Sequence, residues 1–403
     1  MARTAATGRP SAHQPSRGTQ PRVRRFVGQL PDVPDLDVDG LVHDPDVHIV
    51  VCCGSGGVGK TTTSAALALR AAELGRKVVV LTIDPARRLA QSMGLTELDN
   101  TPRPVPGAEP GNGGSLDAMM LDMKRTFDEV VESHATPEKA AQILGNPFYQ
   151  ALSSSFAGTQ EYMAMEKLGQ LHAEATKSGR WDLIVVDTPP SRSALDFLDA
   201  PERLSSFLDG KLIRVLLAPA KGPARFVTMG MSLVTNTIAK VLGGQMLRDV
   251  QTFVAAFDTL FGGFRARAEV TYRVLKDPQT AFIVVASPEA DALREAAFFV
   301  ERLESEQMPL AGLVLNRATS EPAPGLSVEG ALAAAERLGG SDGMAAALLR
   351  LHAERLQRVD REHALRRRFA AAHPSVATAA VLALDTDVHD VDALRRIGEL
   401  LAA

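Results

Sequence analysis

Val47-His48-Ile49-Val50-Val51-Cys52-Cys53, followed at once by Gly54-Ser55-Gly56-Gly57-Val58-Gly59-Lys60-Thr61, decides how the chain folds. The first part is a short apolar run rich in β-branched side chains, which predicts a buried strand. It ends in a glycine cluster, an alanine-rich helical stretch (Thr62–Glu73) follows, and Gly75 sits where a helix C-cap belongs. Gly54 to Thr61 fits the pattern GxxxxGK[ST]. Gly54, Gly56, Gly57 and Gly59, with Ser55 and Val58 between them, let backbone N–H groups turn inward and line an anion-sized nest. The helix that follows aims its N-terminal N–H groups and dipole at the same place. Lys60 brings a positive charge to the β and γ phosphates, the Thr61 hydroxyl is suited to Mg²⁺, and Thr62 completes the set. The segment predicts binding of ATP with Mg²⁺, and its hydrolysis.

Outward from this stretch, strand-like and helix-like runs alternate. Lys77–Ile83 (KVVVLTI), Trp181–Val186 (WDLIVV), Ala281–Ala286 (AFIVVA), Leu310–Leu315 (LAGLVL) and Val376–Leu384 read as further strands. They are continuous apolar runs, as in a parallel sheet covered on both faces. Helical patterns occupy Glu289–Glu306, Met344–Ala371 and Val391–Ala402. The expectation is an α/β P-loop NTPase domain over 46–403, with a mostly parallel, doubly wound sheet. Thr101–Gly114, rich in Pro and Gly, reads as a loop. Leu204–Lys276 carries helix-length apolar patterning with Met229, Met231 and Met246 and no convincing strand, and reads as a helical insertion subdomain. Residues 317–343 read as a loop, with one short helix as an option.

Composition narrows the class. Net charge is −4, which gives no global reason to expect a nucleic-acid partner. The basic residues Arg366, Arg367 and Arg368 read as a solvated helix face or a local nucleic-acid patch. Residues 1–45 hold few large apolar groups and, before Asp32, only basic charges, so a disordered basic tail is expected. The 2 cysteines, Cys52 and Cys53, are adjacent. Neighbours on a strand face opposite ways, so they read as small core residues, and a reducing cytoplasm fits. No run of about 18 apolar residues predicts a membrane span.

Two acidic residues join the site by position. Asp187 ends WDLIVVD and is suited to hold Mg²⁺ through a water. Asp84 ends KVVVLTID at the same sheet edge, placed to orient or deprotonate the attacking water, or else to cap a turn before Pro85. Thr188-Pro189-Pro190-Ser191-Arg192 is a rigid turn near the phosphates. Asn316 follows LAGLVL, where its amide could read the adenine edge or serve as a turn residue.

With these residues assembled, the chain resembles the arsenical-pump (ArsA) ATPase family, which includes cytosolic ATPases that deliver tail-anchored membrane proteins. The resemblance rests on Gly56–Thr62 (GGVGKTT), Asp84-Pro85-Ala86, Ala157-Gly158 with Glu161, Asp187-Thr188-Pro189-Pro190, Ser287-Pro288-Glu289, Asn316-Arg317 and the closing Val388–Leu401. It implies that Asp84 opens one switch and Asp187 the other, with Pro288 and Asn316 on the adenine side. It also implies a dimer that closes on ATP and an apolar groove in the helical insertion for a client's membrane helix. The family's second P-loop lysine, which reaches the partner's nucleotide, is Ser55 here, so a homodimer or a heterodimer with a paralogous ATPase fits, and a paralogue or Arg87, Arg88 or Arg192 would bring the cation. Arg87 also replaces a histidine common after the first switch motif. The family's arsenite-binding cysteines and its zinc-clamping CxxC are absent. Two alternatives stay open: a positioning ATPase of the ParA or MinD kind, and an ATP-binding half of a heterodimer that does not hydrolyse.

Overall fold

The computed structural model describes residues 33–84, 88–95, 97–108, 112–147, 149–150, 153, 159–189, 266–322, 325–339 and 342–403. Eight strands form one sheet: β1 Ile49–Cys53, β2 Lys77–Thr82, β3 Arg103–Pro104, β4 Ser115–Met120, β5 Leu183–Asp187, β6 Thr280–Ala286, β7 Leu310–Ala318 and β8 Thr378–Leu382. Their order is β3-β4-β2-β5-β1-β6-β7-β8. Every described pairing is parallel except β3 with β4. The glycine-flanked run thus lies mid-sheet, with Ile49 level with Ile184 on one side and Thr280 on the other. β1, β5 and β6 are buried along their whole length, which is why they are unbroken apolar runs. Each large side chain so buried contributes about 1.5–3 kcal/mol.

Parallel strands need crossovers, and helices supply them. They are α1 Val38–His43, α2 Lys60–Glu73, α3 Arg88–Ser92, α4 Met123–His134, α5 Pro137–Leu144, α6 Thr159–Ser178, α7 Ala290–Ser305, α8 Val328–Leu338, α9 Gly343–Ala372 and α10 Val391–Leu401, with a further helical run at 266–276. The alanine face of α2 lies on the central strands, with Ala65, Ala66, Ala68, Ala71 and Ala72 fully buried, and α10 packs against it in turn. Gly75, at φ +101°, turns the chain out of α2 into β2.

Sequence and structure part at the margins. Residues 33–45, expected to belong to a disordered tail, are ordered, and 1–32 lie outside the described residues. Leu36 N–H donates to Thr378 O at 3.2 Å, α1 buries Val38 and Val42, and Asp37 caps it through Gly40 N–H. Two valines four apart and one cap are too little signal to stand out in a Pro- and Gly-rich stretch. The stretch 317–343, read as a loop with one short helix as an option, contains the end of β7 and takes that option in α8, capped by Ser327 and buried through Ala331 and Ala335. Its small residues are a helix face packed on α9. Strand β4 was missed because Asp117 interrupts its apolar run. That carboxylate is paired, accepting from Trp181 Nε1 at 2.9 Å and Arg180 Nη2 at 3.0 Å. Of the expected helical insertion, 204–265 lie outside the described residues. Residues 266–276 are helical, with Ala268 and Leu275 in the core.

Candidate active site

The carboxyl ends of β1, β2, β5 and β7 converge at one edge of the sheet, where open α/β folds place their ligands. The loop from Gly54 to Gly59 leaves β1 there, and α2 begins at Lys60. Two of its glycines are dictated by close approach. A Cβ on Gly54 (φ +150°) would sit 2.1 Å from Val285 O of β6, and one on Gly59 (φ +93°) 2.1 Å from Asn316 Nδ2. Lys60 is 5% exposed, and its Nζ donates to Ser55 O at 2.9 Å. Burial pushes its ammonium below the ordinary lysine range, opposed chiefly by Asp187. Ser55 is itself buried.

Asp187 is the last residue of β5, wholly buried beneath the loop. Its Oδ2 accepts from Thr61 Oγ1 at 2.8 Å and Thr82 Oγ1 at 2.9 Å. Its Oδ1 is buried and meets no donor among the described residues. Burial pushes the carboxyl up to about 6, against the pull of the two hydroxyls and Lys60. A buried carboxylate with one idle oxygen beside a threonine hydroxyl is a donor set of the hard-oxygen type that Mg²⁺ takes. Thr82 was not singled out in the sequence because it reads simply as a β-branched strand residue. Its hydroxyl also accepts from Asp84 N–H at 3.2 Å, so one side chain joins the ends of β2 and β5. Thr188 turns back into the core, its Oγ1 donating to Cys52 O at 2.8 Å.

A cleft of about 630 Å³ opens at this edge, and Lys60, Thr61, Thr62, Asp84, Asn316 and Arg317 line one side of it. The far side is formed by residues after β8, among them Leu384, Thr386 and His389. Asn316 is buried and turns its Nδ2 to Val58 O at 2.8 Å. Pro288 is buried just past β6 and is not among the residues lining the cleft. Arg317, which sequence reading noted only beside Asn316, donates from Nη1 to Gly57 O at 3.0 Å. Pro85, Ala86, Arg87, Pro190, Ser191 and Arg192 lie outside the described residues, as do Ala157, Gly158 and the side chains of Arg88 and Glu161. Cys52 and Cys53 are buried and unpaired, and burial pushes the Cys52 thiol up to about 12, as expected of core residues.

The family model for anion-transporting ATPases (ArsA ATPase) matches residues 47–325, more than half of the chain. An ATPase named get3 from Schizosaccharomyces japonicus is 27% identical over 289 residues, covering 71% of this chain and 79% of that protein. The ATPase get3 of Schizosaccharomyces pombe is 26% identical over 286 residues, covering 71% and 78%. The ATPase ARSA2 of Chlamydomonas reinhardtii is 27% identical over 292 residues, covering 71% and 72%. The matched span runs from β1 past the end of β7 and so takes in the glycine loop, both acidic strand ends and Asn316. The chain belongs to the ArsA family of anion-transporting ATPases, and it is an ATPase.

Proposed function

We propose that the chain hydrolyses Mg·ATP in this cleft and uses the change of nucleotide state to switch a dimer that handles an apolar or membrane-protein client. The observation that carries the catalytic part is the buried Asp187 carboxylate, shared by Thr61 at the start of α2 and Thr82 at the end of β2. Thr61 and, through a water, Asp187 would hold Mg²⁺. When bound, the ion offsets the phosphate charge and polarises the γ-phosphoryl group. The nest N–H groups and Lys60 fix the phosphates, and Asp84 orients the attacking water and accepts its proton. Thr82 ties Asp187 to the Asp84 backbone, so a shift at one strand end is transmitted to the other. The Asp84→Asn variant is expected to bind Mg·ATP normally and turn over about 10²-fold more slowly. Unchanged kcat would remove Asp84 from this role.

The dimer and the client rest on the family resemblance and on the Met- and Leu-rich composition of the insertion at 204–276. Ser55 supplies no cation for a partner's nucleotide. We assign that charge to a paralogous subunit or to Arg87, Arg88 or Arg192. Sedimentation of the Asp84→Asn variant with Mg·ATP, alone and with a paralogue, tests this part. A monomer in both cases would sink it. A positioning ATPase that grips a membrane through its last helix fits less well. The apolar face of α10 (Leu394, Ile397, Leu401) is already buried, and Arg395 pairs with Glu73 at 2.6 Å and with Asp392. Among the described residues no helix is long and apolar enough to cross a membrane. Two adjacent buried cysteines with no bridge fit a reducing cytoplasm, and a net charge of −4 gives no global reason to expect a nucleic-acid partner.

A further inference from the structure

We infer that Asn316 and Arg317 are positioning residues for the phosphate nest, holding two successive peptide groups of the glycine loop so that their N–H groups face the nucleotide. The inference rests on Gly54–Thr61 being the triphosphate site. Arg317 Nη1 donates to Gly57 O at 3.0 Å, and Asn316 Nδ2 donates to Val58 O at 2.8 Å. In a trans peptide the C=O and the following N–H point in opposite directions, and the described chain has no cis bond. Drawing the Gly57 and Val58 carbonyls toward the end of β7 therefore turns the Val58 and Gly59 N–H groups the other way. A nest works only if its N–H groups converge, and a loop of glycines has no side chains of its own to keep them so. The neighbouring strand supplies what the loop lacks.

The clamp is itself anchored. Arg317 holds a left-handed φ of +61°, which costs a non-glycine residue free energy and persists only where surrounding contacts enforce it. Two residues on, Thr319 donates to Glu362 of α9 from its backbone N–H at 2.9 Å and from its hydroxyl at 2.6 Å. The strand end is thus pinned between the loop and the long helix. Asn316 fits so closely that Gly59 has no room for a Cβ.

The test separates phosphate positioning from base reading. Full-length Arg317→Gly, Arg317→Lys and Asn316→Ala are titrated with Mg·ATP by calorimetry and with Mg·GTP by displacement of ATP. Arg317→Gly relieves the backbone strain, so its melting temperature should not fall. Its affinity for ATP and GTP should drop together by about tenfold, roughly what loss of one ordering hydrogen bond gives. Arg317→Lys, which can still reach the carbonyl, should recover most of it, and Asn316→Ala should lower the affinity for both nucleotides, any excess loss for ATP reporting an adenine-side contact of the same amide. Wild-type ATP affinity in Arg317→Gly, or a loss confined to ATP in either variant, would overturn the inference. Lys60→Ala, run alongside, reports on the site itself: if it binds ATP like wild type, the phosphate-site reading fails, whatever Arg317 does.

Discussion

The two ends of α2 each place a cation in the protein interior, and the two are treated in opposite ways. Arg76, just past the carboxyl end, is 7% exposed. Its Nε donates to Asp182 Oδ1 at 2.7 Å, Nη1 to Asp44 O at 2.6 Å and Val42 O at 3.3 Å, and Nη2 to Val47 O at 2.9 Å and Asp182 O at 2.7 Å. A guanidinium has five donors, and here each has an acceptor. Lys60, at the amino end, is as deeply buried at 5%, yet among the described residues its ammonium makes one hydrogen bond, at 2.9 Å, and nearby Asp187 keeps an idle oxygen. Burying a charge without full compensation is costly. The first arrangement ties α1, β1, β2 and β5 together. The second leaves charges under-satisfied until a charged ligand arrives, the mark of a binding site.

The largest effect expected from this contrast is an exchange of phenotypes. Lys60→Ala should abolish ATP turnover while lowering stability little or raising it. Arg76→Ala should strand the buried Val42 and Val47 carbonyls and cost at least about 2 kcal/mol of unfolding free energy, with kcat preserved in the folded fraction. Denaturant melts and steady-state ATPase assays on both variants decide it. A destabilised Lys60→Ala with residual activity, or an inactive but stable Arg76→Ala, would break the comparison.

Asp187 sharpens it further. Its carboxyl titrates at about 6 in the folded chain against an ordinary 3.8. The native state therefore holds the proton more tightly than the unfolded one. Stability of the metal-free protein should be highest at low pH within this window and fall as pH rises from about 4 to about 6. Asp187→Asn removes the buried charge while keeping an oxygen for Thr61 and Thr82. In EDTA at pH 7 it should be more stable than wild type by roughly 1–3 kcal/mol, with the gap closing toward pH 4. The same variant should lose Mg²⁺-dependent turnover. Equal stability at pH 7 would show that Asp187 is better solvated than its burial implies.

The sequence made the middle of this molecule legible and its margins obscure, for one physical reason. β1, β5 and β6 are buried on both faces, and α2 begins where the glycine loop must end, so apolarity and motif coincide with structure. At the margins, polar residues take structural roles that only tertiary contact reveals. Asp117 sits in a strand because Trp181 and Arg180 are there to pair with it. Ala331 and Ala335 form a helix because α9 covers them. The site divides the same way. Lys60, Thr61, Asp84 and Asp187 announce themselves by position in the motif or at strand ends. Thr82 and Arg317 act through a hydroxyl and a guanidinium whose partners, Asp187 and Gly57, lie 105 and 260 residues away.

The smallest effect belongs to α1, at the structural end of the same helix. Arg70 of α2 donates to both oxygens of Asp39, at 2.9 and 2.7 Å, but the side chains are 26% and 37% exposed. An ion pair that water reaches contributes little, about 0.5 kcal/mol or less. Val38 and Val42, both buried, are what hold α1 in place. Asp39→Ala should therefore shift the melting temperature by no more than a degree or two and leave ATPase kinetics untouched. A larger shift would mean that α1 depends on charge rather than on its two valines. A change in kcat would mean that strain at the carboxyl end of α2 reaches Lys60, and the two ends could no longer be treated as independent.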